Sequence, residues 1–100
     1  MAQIIVSRKA AEQIAAIREF YKDKTTDTGE RAITIILSAF KPLKKHPAIG
    51  RPAIDHPELR ELVIPFGHSG YIALYRIDRT KNRIVILAVR HQREAGYDSG

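Results

Sequence analysis

Ile84-Val85-Ile86-Leu87-Ala88-Val89 is the stretch on which the fold turns. Six consecutive apolar residues between Arg83 and Arg90 read as a strand that is apolar on both faces, running from Arg83 to His91. Such a strand belongs at the centre of a sheet. Two further strand patterns precede it, Leu59–Phe66 and Tyr71–Asp78. The links Gly67-His68-Ser69-Gly70 and Arg79-Thr80-Lys81-Asn82 are short and polar, as consecutive hairpins require, so the C-terminal half is a three-strand meander. Ile4-Ile5-Val6 forms a short N-terminal strand that can flank the last one.

Between that strand and the meander the period changes from two to 3.6. Ser7 is placed to cap a helix whose apolar residues are Ala10, Ile14, Ile17 and Tyr21, widened by Ala11 and Ala15. Arg8, Lys9, Glu12, Gln13, Arg18, Glu19 and Lys22 fall mainly on its other face, which makes it amphipathic. After the polar break 22–26, Asp27 and Glu30 have capping-box spacing before a second apolar seam of Ile33, Ile36, Phe40 and Leu43. Pro42 cannot donate to the carbonyl of Ser38, so this helix should end or kink near Ala39 to Lys41. Pro47, Gly50, Pro52 and Pro57 are too close together for helix or interior strand, and His46 to Pro57 reads as an extended connector. Either half alone would leave an apolar face uncovered, so residues 1–100 are expected to form one α+β domain, a helical hairpin on an antiparallel sheet.

Composition excludes several chemistries. The chain has no cysteine, which removes disulfides, thiolate nucleophiles and thiolate metal sites. His46, His56, His68 and His91 lie far apart, none at metal-ligand spacing from another, so neither a metal nor a cofactor is expected. There is no glycine-rich phosphate loop and no Gly-x-Ser-x-Gly elbow. No apolar run approaches the roughly 20 residues of a membrane span, and the N-terminus lacks a signal-peptide pattern, which places the protein in the cytoplasm. Seventeen Lys and Arg against eleven Asp and Glu leave +6, which favours an anionic partner or simply solubility.

The remaining candidates are arginines in unusual places. Arg60 has the strand parity of Leu62, Ile64 and Phe66, Arg76 that of Ile72 and Leu74, and Arg90 and Arg93 bracket His91. Gathered at one edge or end of the sheet, these guanidinium groups would bind phosphate or carboxylate, with His91 as acid or base. Taken singly, each also reads as structural: Arg60 beside Glu61 and Arg93 beside Glu94 as solvated pairs, and His91 as a strand-ending ring satisfied by a backbone carbonyl. Tyr71 and Tyr75 share one face of their strand and read as residues of the core rim.

The order of parts, with Leu43 and His46-Pro47-Ala48-Ile49-Gly50-Arg51, Leu59-Arg60-Glu61-Leu62, Tyr71 to Ile77, and Ile84 to Glu94, resembles the ParE/RelE superfamily of toxins over essentially the whole chain. The resemblance implies a toxin of a type II toxin–antitoxin (plasmid-stabilisation) system, neutralised by a cognate antitoxin whose acidic segment wraps over it and reaching operator DNA only through that antitoxin. Two activities occur in the superfamily. In the nuclease branch, which cleaves mRNA on the ribosome, the resemblance implies Arg60, Arg76, His91, Arg93 and Tyr97 as the catalytic set. The turn Phe66-Gly67-His68-Ser69-Gly70, however, has no arginine or lysine where nucleases of that branch often place one, and their long basic C-terminal segment is missing. Tyr75-Arg76-Ile77 and His91 to Tyr97 look more like the ParE branch, which poisons DNA gyrase without known catalysis. That branch would make Arg51, Arg60, Arg76, Arg90, His91 and Arg93 contact or scaffold residues towards target or antitoxin.

Overall fold

The computed structural model describes residues 2–22 and 26–93. Ser7 caps as its position predicts: its backbone is extended, and its Oγ accepts the N–H of Ala10 at 3.1 Å, opening α1 (Arg8–Tyr21). Ala10 and Ile14 are buried, with Ile17 and Tyr21 packed at the margin. Ala11 and Ala15, expected to widen this stripe, are exposed. Helix α2 (Thr26–Phe40) starts one residue before Asp27, so Asp27 lies inside the first turn rather than at the cap, where its carboxylate still meets the positive end of the helix dipole. Ile33, Ile36 and Phe40 form its buried seam. At Phe40 the helix gives way to a 3₁₀ turn, Lys41–Lys44, in which Pro42 takes an N-terminal position needing no N–H and Leu43 is fully buried.

The strands are β1 (Gln3–Val6), β2 (Arg51–Pro52), β3 (Arg60–Phe66), β4 (Ser69–Asp78) and β5 (Arg83–His91), ordered β1-β5-β4-β3-β2. The meander is as expected, and β1 does flank β5. That pair is parallel, however, so the sheet is mixed rather than wholly antiparallel. The middle place belongs to β4, with β5 beside it. The connector is not wholly extended: a short 3₁₀ turn, Pro47–Ile49, precedes β2, an edge strand of two residues on which Pro52 is tolerated. Strands β3 and β4 are joined by a two-residue turn, tighter than the four-residue link the sequence implied. Its first residue, Gly67, has φ +62°, the type II′ requirement that glycine meets without strain.

Both helices pack on one face of the sheet, against Ile64, Tyr71, Ala73, Tyr75, Ile84, Ile86 and Val89. On β5 the inward positions change phase between Ile86 and Val89, because Leu74 pairs with Ala88 and Tyr75 with Ile86, leaving Leu87 as the extra residue of a β-bulge. Helix α1 satisfies the backbone there. The Ser7 hydroxyl donates to the carbonyl of Leu87 at 3.1 Å, and Gln13 Oε1 accepts the N–H of Val89 at 2.7 Å. Gln13 therefore faces the sheet, not the polar face on which its side-chain type placed it.

Candidate functional site

Beyond Val6, β1 no longer covers the edge of β5, and α1 runs alongside it instead. The two do not close completely. They leave a groove of about 590 Å³ between Gln13, Ala16, Ile17 and Phe20 of α1 and the strand end from Val89 to Arg93, with Tyr71 at its base. The walls are mostly apolar, and Phe20 is 63% exposed. Ring contacts run from Phe20 to Tyr21 (5.0 Å between centroids), Tyr21 to Phe66 (6.4 Å), Phe66 to Tyr71 (6.1 Å) and Tyr71 to His91 (5.5 Å). Tyr71 is a core residue rather than a rim residue. Burial and its hydrogen bond with Tyr21 push its phenol above the ordinary tyrosine range, so it stays protonated at neutral pH.

His91 is held at the head of this groove from both ring nitrogens. Nδ1 accepts the amide N–H of Arg93 at 3.1 Å, and Nε2 lies 3.0 Å from Ser69 Oγ. A backbone amide can only donate, so in the neutral ring the proton sits on Nε2 and points at Ser69. Nδ1 thus meets an amide, where the sequence alone favours a carbonyl. Arg90 Nη1 donates to the carbonyls of His91 (3.3 Å) and Gln92 (3.4 Å). These contacts set the direction in which the chain leaves the sheet. Arg93 is exposed beside them, and Tyr97 lies outside the described residues.

The other arginines do not join this end. Cross-strand partners share a face, so Arg60, opposite Tyr75, lies on the helix-covered face, whereas Arg76, opposite Val85, and Arg90, opposite Ile72, lie on the other. The expected gathering of guanidinium groups is therefore split by the sheet. Each strand's parity was legible, but apolar residues alternate through both faces of β4, and parity alone does not say which face the helices take. Arg76 lies 3.8 Å from Asp78 Oδ2, which Arg83 also contacts at 3.1 Å. The Lys81 amide and the Arg83 guanidinium beside Asp78 hold its carboxyl below the usual range against a smaller effect of desolvation.

Arg60 belongs to a latch at the opposite sheet edge. Its Nη1 donates to the carbonyl of Gly50 at 2.6 Å and to that of Ala48 at 3.3 Å. Beside it the fully buried Tyr75 donates through Oη to the carbonyl of Pro47 at 2.6 Å and accepts the N–H of Gly50 at 2.9 Å. A Cβ on residue 50 would stand 2.6 Å from that oxygen and 2.7 Å from the carbonyl oxygen of Glu61, so only glycine fits. Arg51 Nε pairs with Glu61 Oε1 at 3.1 Å across β2 and β3. The Pro-Ala-Ile-Gly-Arg segment is thus pinned along its length.

The residues at this site that sequence reasoning passed over are Gln13 and Phe20, which line the groove, and Ser69, which contacts His91. Phe20 carries a readable signal, a large aromatic on the polar side of an amphipathic helix. Gln13 lies three residues after Ala10 and four before Ile17, on the buried stripe by spacing. Ser69 reads as a turn residue until the two-residue turn places it in β4. Among the described residues no group of three acidic, histidine or cysteine side chains is placed to hold a metal ion, and no helix is long and apolar enough to cross a membrane.

Comparison with known proteins gives a consistent result. The family model for the ParE toxin of the parDE type II toxin-antitoxin system matches residues 4–96. Toxin RelE3 of Caulobacter vibrioides is 29% identical over 94 residues, spanning 94% of this chain and 98% of its own. A solved chain of the chromosomal ParDE TA system from P. aeruginosa superimposes with a TM-score of 0.76 at 26% identity, covering 91% of this chain and 96% of that one.

Proposed function

The chain belongs to the family of ParE toxins of type II toxin-antitoxin systems, and from that membership we propose that it arrests growth by poisoning DNA gyrase through surface contacts. A cognate antitoxin is the partner that membership implies. On this reading the toxin works in the cytoplasm, where gyrase holds its DNA, and performs no bond-breaking chemistry of its own.

The dispersal of the arginines carries the reading. Support of a phosphate during attack on a ribose hydroxyl needs cations and an acid–base pair around one point. Here Arg60 is bound to connector carbonyls, Arg76 shares Asp78 on the other face, and His91 is engaged at both ring nitrogens. The same positions suit contact. Phe20 and the apolar groove offer an anchor, Arg90, His91 and Arg93 a polar rim for an acidic antitoxin segment, and Arg51 and Arg76 further charges on the sheet.

The test is tightly controlled expression, scored in parallel for trapped gyrase–DNA cleavage complexes and for bulk translation. The expected result is cleavage complexes and DNA-damage induction before translation falls. Rapid translational arrest with cut mRNA and without cleavage complexes overturns the proposal in favour of a ribosome-dependent nuclease.

A further inference from the structure

The end of the molecule remote from the groove carries a charge pattern that neither the latch nor the groove uses. The start of β1 is clasped from both sides: Ala2 N–H donates to the carbonyl of Lys44 and Gln3 N–H to that of Asn82, each at 3.1 Å. Successive amides of one strand therefore hold together the 3₁₀ turn at Lys41–Lys44 and the β4–β5 turn at 79–82. These turns bring Lys41, Lys44, Lys45, Arg79 and Lys81 to one pole, all exposed. In a 3₁₀ turn residues i and i+3 eclipse, so Lys41 and Lys44 project from one side. None of the five forms an ion pair among the described residues. Asp78, at the end of β4 beside these turns, is engaged by Arg83 and Arg76. Five of the chain's seventeen lysines and arginines thus stand here without an ion pair among the described residues.

We propose that this pole is a sequence-independent contact site for the phosphate backbone of a nucleic acid. Three observations favour phosphates over an acidic protein segment. Four of the five cations are lysines, which interface cores deplete and phosphate contacts use freely. Neither turn segment, 41–45 or 79–82, contains an aromatic residue to serve as an anchor, and the charges stand on two neighbouring turns. It also lies at the Arg83 end of β5, whereas the groove lies at the His91 end, roughly 27 Å away at the ordinary rise of a strand. Nucleic acid at the pole and protein at the groove can therefore be held together. Two sources share this chemistry, the DNA held by gyrase and the RNA of a ribosome, and the pole itself does not distinguish them.

The experiment measures binding of the full chain, free of antitoxin, to a short blunt-ended duplex DNA and separately to an RNA hairpin, across a salt series. Each duplex phosphate neutralised contributes about −0.9 to the slope of log affinity against log salt, so five contacts give a slope near −4.5. Lys44→Ala/Lys45→Ala/Lys81→Ala should flatten it by about 2.7 and lower low-salt affinity at least about tenfold. The matching arginine triple should restore both. Removing the same charge from α1, with Arg8→Ala/Lys9→Ala/Lys22→Ala, should leave the slope near wild type. Equal losses in the two alanine triples, or no salt-dependent binding by the wild-type chain, overturn the proposal. Binding to RNA but not to DNA keeps the phosphate site while counting against gyrase, so failure of the site and failure of the gyrase reading give different results.

Discussion

Tyr75 and Tyr71 stand four residues apart on one strand and on one face, and they serve opposite ends of the molecule. At Tyr75 the hydroxyl has a donor and an acceptor, the ring is sealed, and a carbonyl-binding arginine and an obligatory glycine close the surroundings. At Tyr71 the hydroxyl meets another tyrosine, and the ring floors a groove whose far wall is an exposed phenylalanine. The difference lies in what covers them. Over Tyr75 the connector is folded down and tied, while beside Tyr71 helix α1 leans on the bulged edge of β5 without closing it. Similar residue chemistry thus gives a structural latch at one end and an accessible surface at the other.

Substitutions can break this contrast or sharpen it. Gly50→Ala drives a methyl group into the Tyr75 hydroxyl and should lower unfolding free energy by about 3 kcal/mol, read by chemical denaturation. A change under about 0.5 kcal/mol would show the latch to be slack. Tyr75→Phe leaves the buried N–H of Gly50 and the carbonyl of Pro47 without their partner and should cost about 2 kcal/mol, against under about 1 kcal/mol for Tyr71→Phe beside the open groove. Equal thermal shifts in these two variants would erase the distinction. Phe20→Ala should leave stability within about 0.5 kcal/mol yet weaken antitoxin binding about tenfold or more by calorimetry. Undiminished affinity would move the contact away from the groove.

The smallest effect is alkaline. Burial raises the Tyr75 phenol despite the opposing Gly50 N–H and the nearby Arg60 charge, so the folded state holds its proton more tightly than the unfolded chain does. The resulting stability is complete below the unfolded value near pH 10 and is lost as pH rises through the folded one. Tyr75→Phe should therefore show a shallower loss of stability above about pH 10. Tyr71 retains its share, and only the double variant should be nearly flat there.

Local pattern carried much of the architecture. The strands around Leu59 to Phe66, Tyr71 to Asp78 and Arg83 to His91, the Ser7 cap, the seam from Ile33 to Leu43 and the helix end at Pro42 follow from spacing and from proline's missing N–H. The parallel pairing of β1 was not readable, because three apolar residues carry no direction. The bulge at Leu87 was equally hidden, since the groups that satisfy it, on Ser7 and Gln13, come from 80 and 76 residues away. At the candidate site, Arg90, His91 and Arg93 stood out as charges ending an apolar strand. Phe20 was readable as an aromatic on a polar face, but its place in a groove was not, because that depends on the opposite wall. Arg60 and Arg76 were misgrouped for the same reason: strand parity ranks residues within a strand but does not name the covered face.

The pairing of the first strand with the last has a consequence in time. During synthesis β1 emerges early, while its partner β5 follows about 80 residues later, a wait of roughly 4 to 16 s at ordinary elongation rates. Until then neither the clasp on Ala2 and Gln3 nor the support of α1 by β5 exists, and the groove and the basic pole have no fixed shape. The groove and the basic pole therefore take their shape only after β5 has been made, however early the residues of α1 and β1 that contribute to them appear.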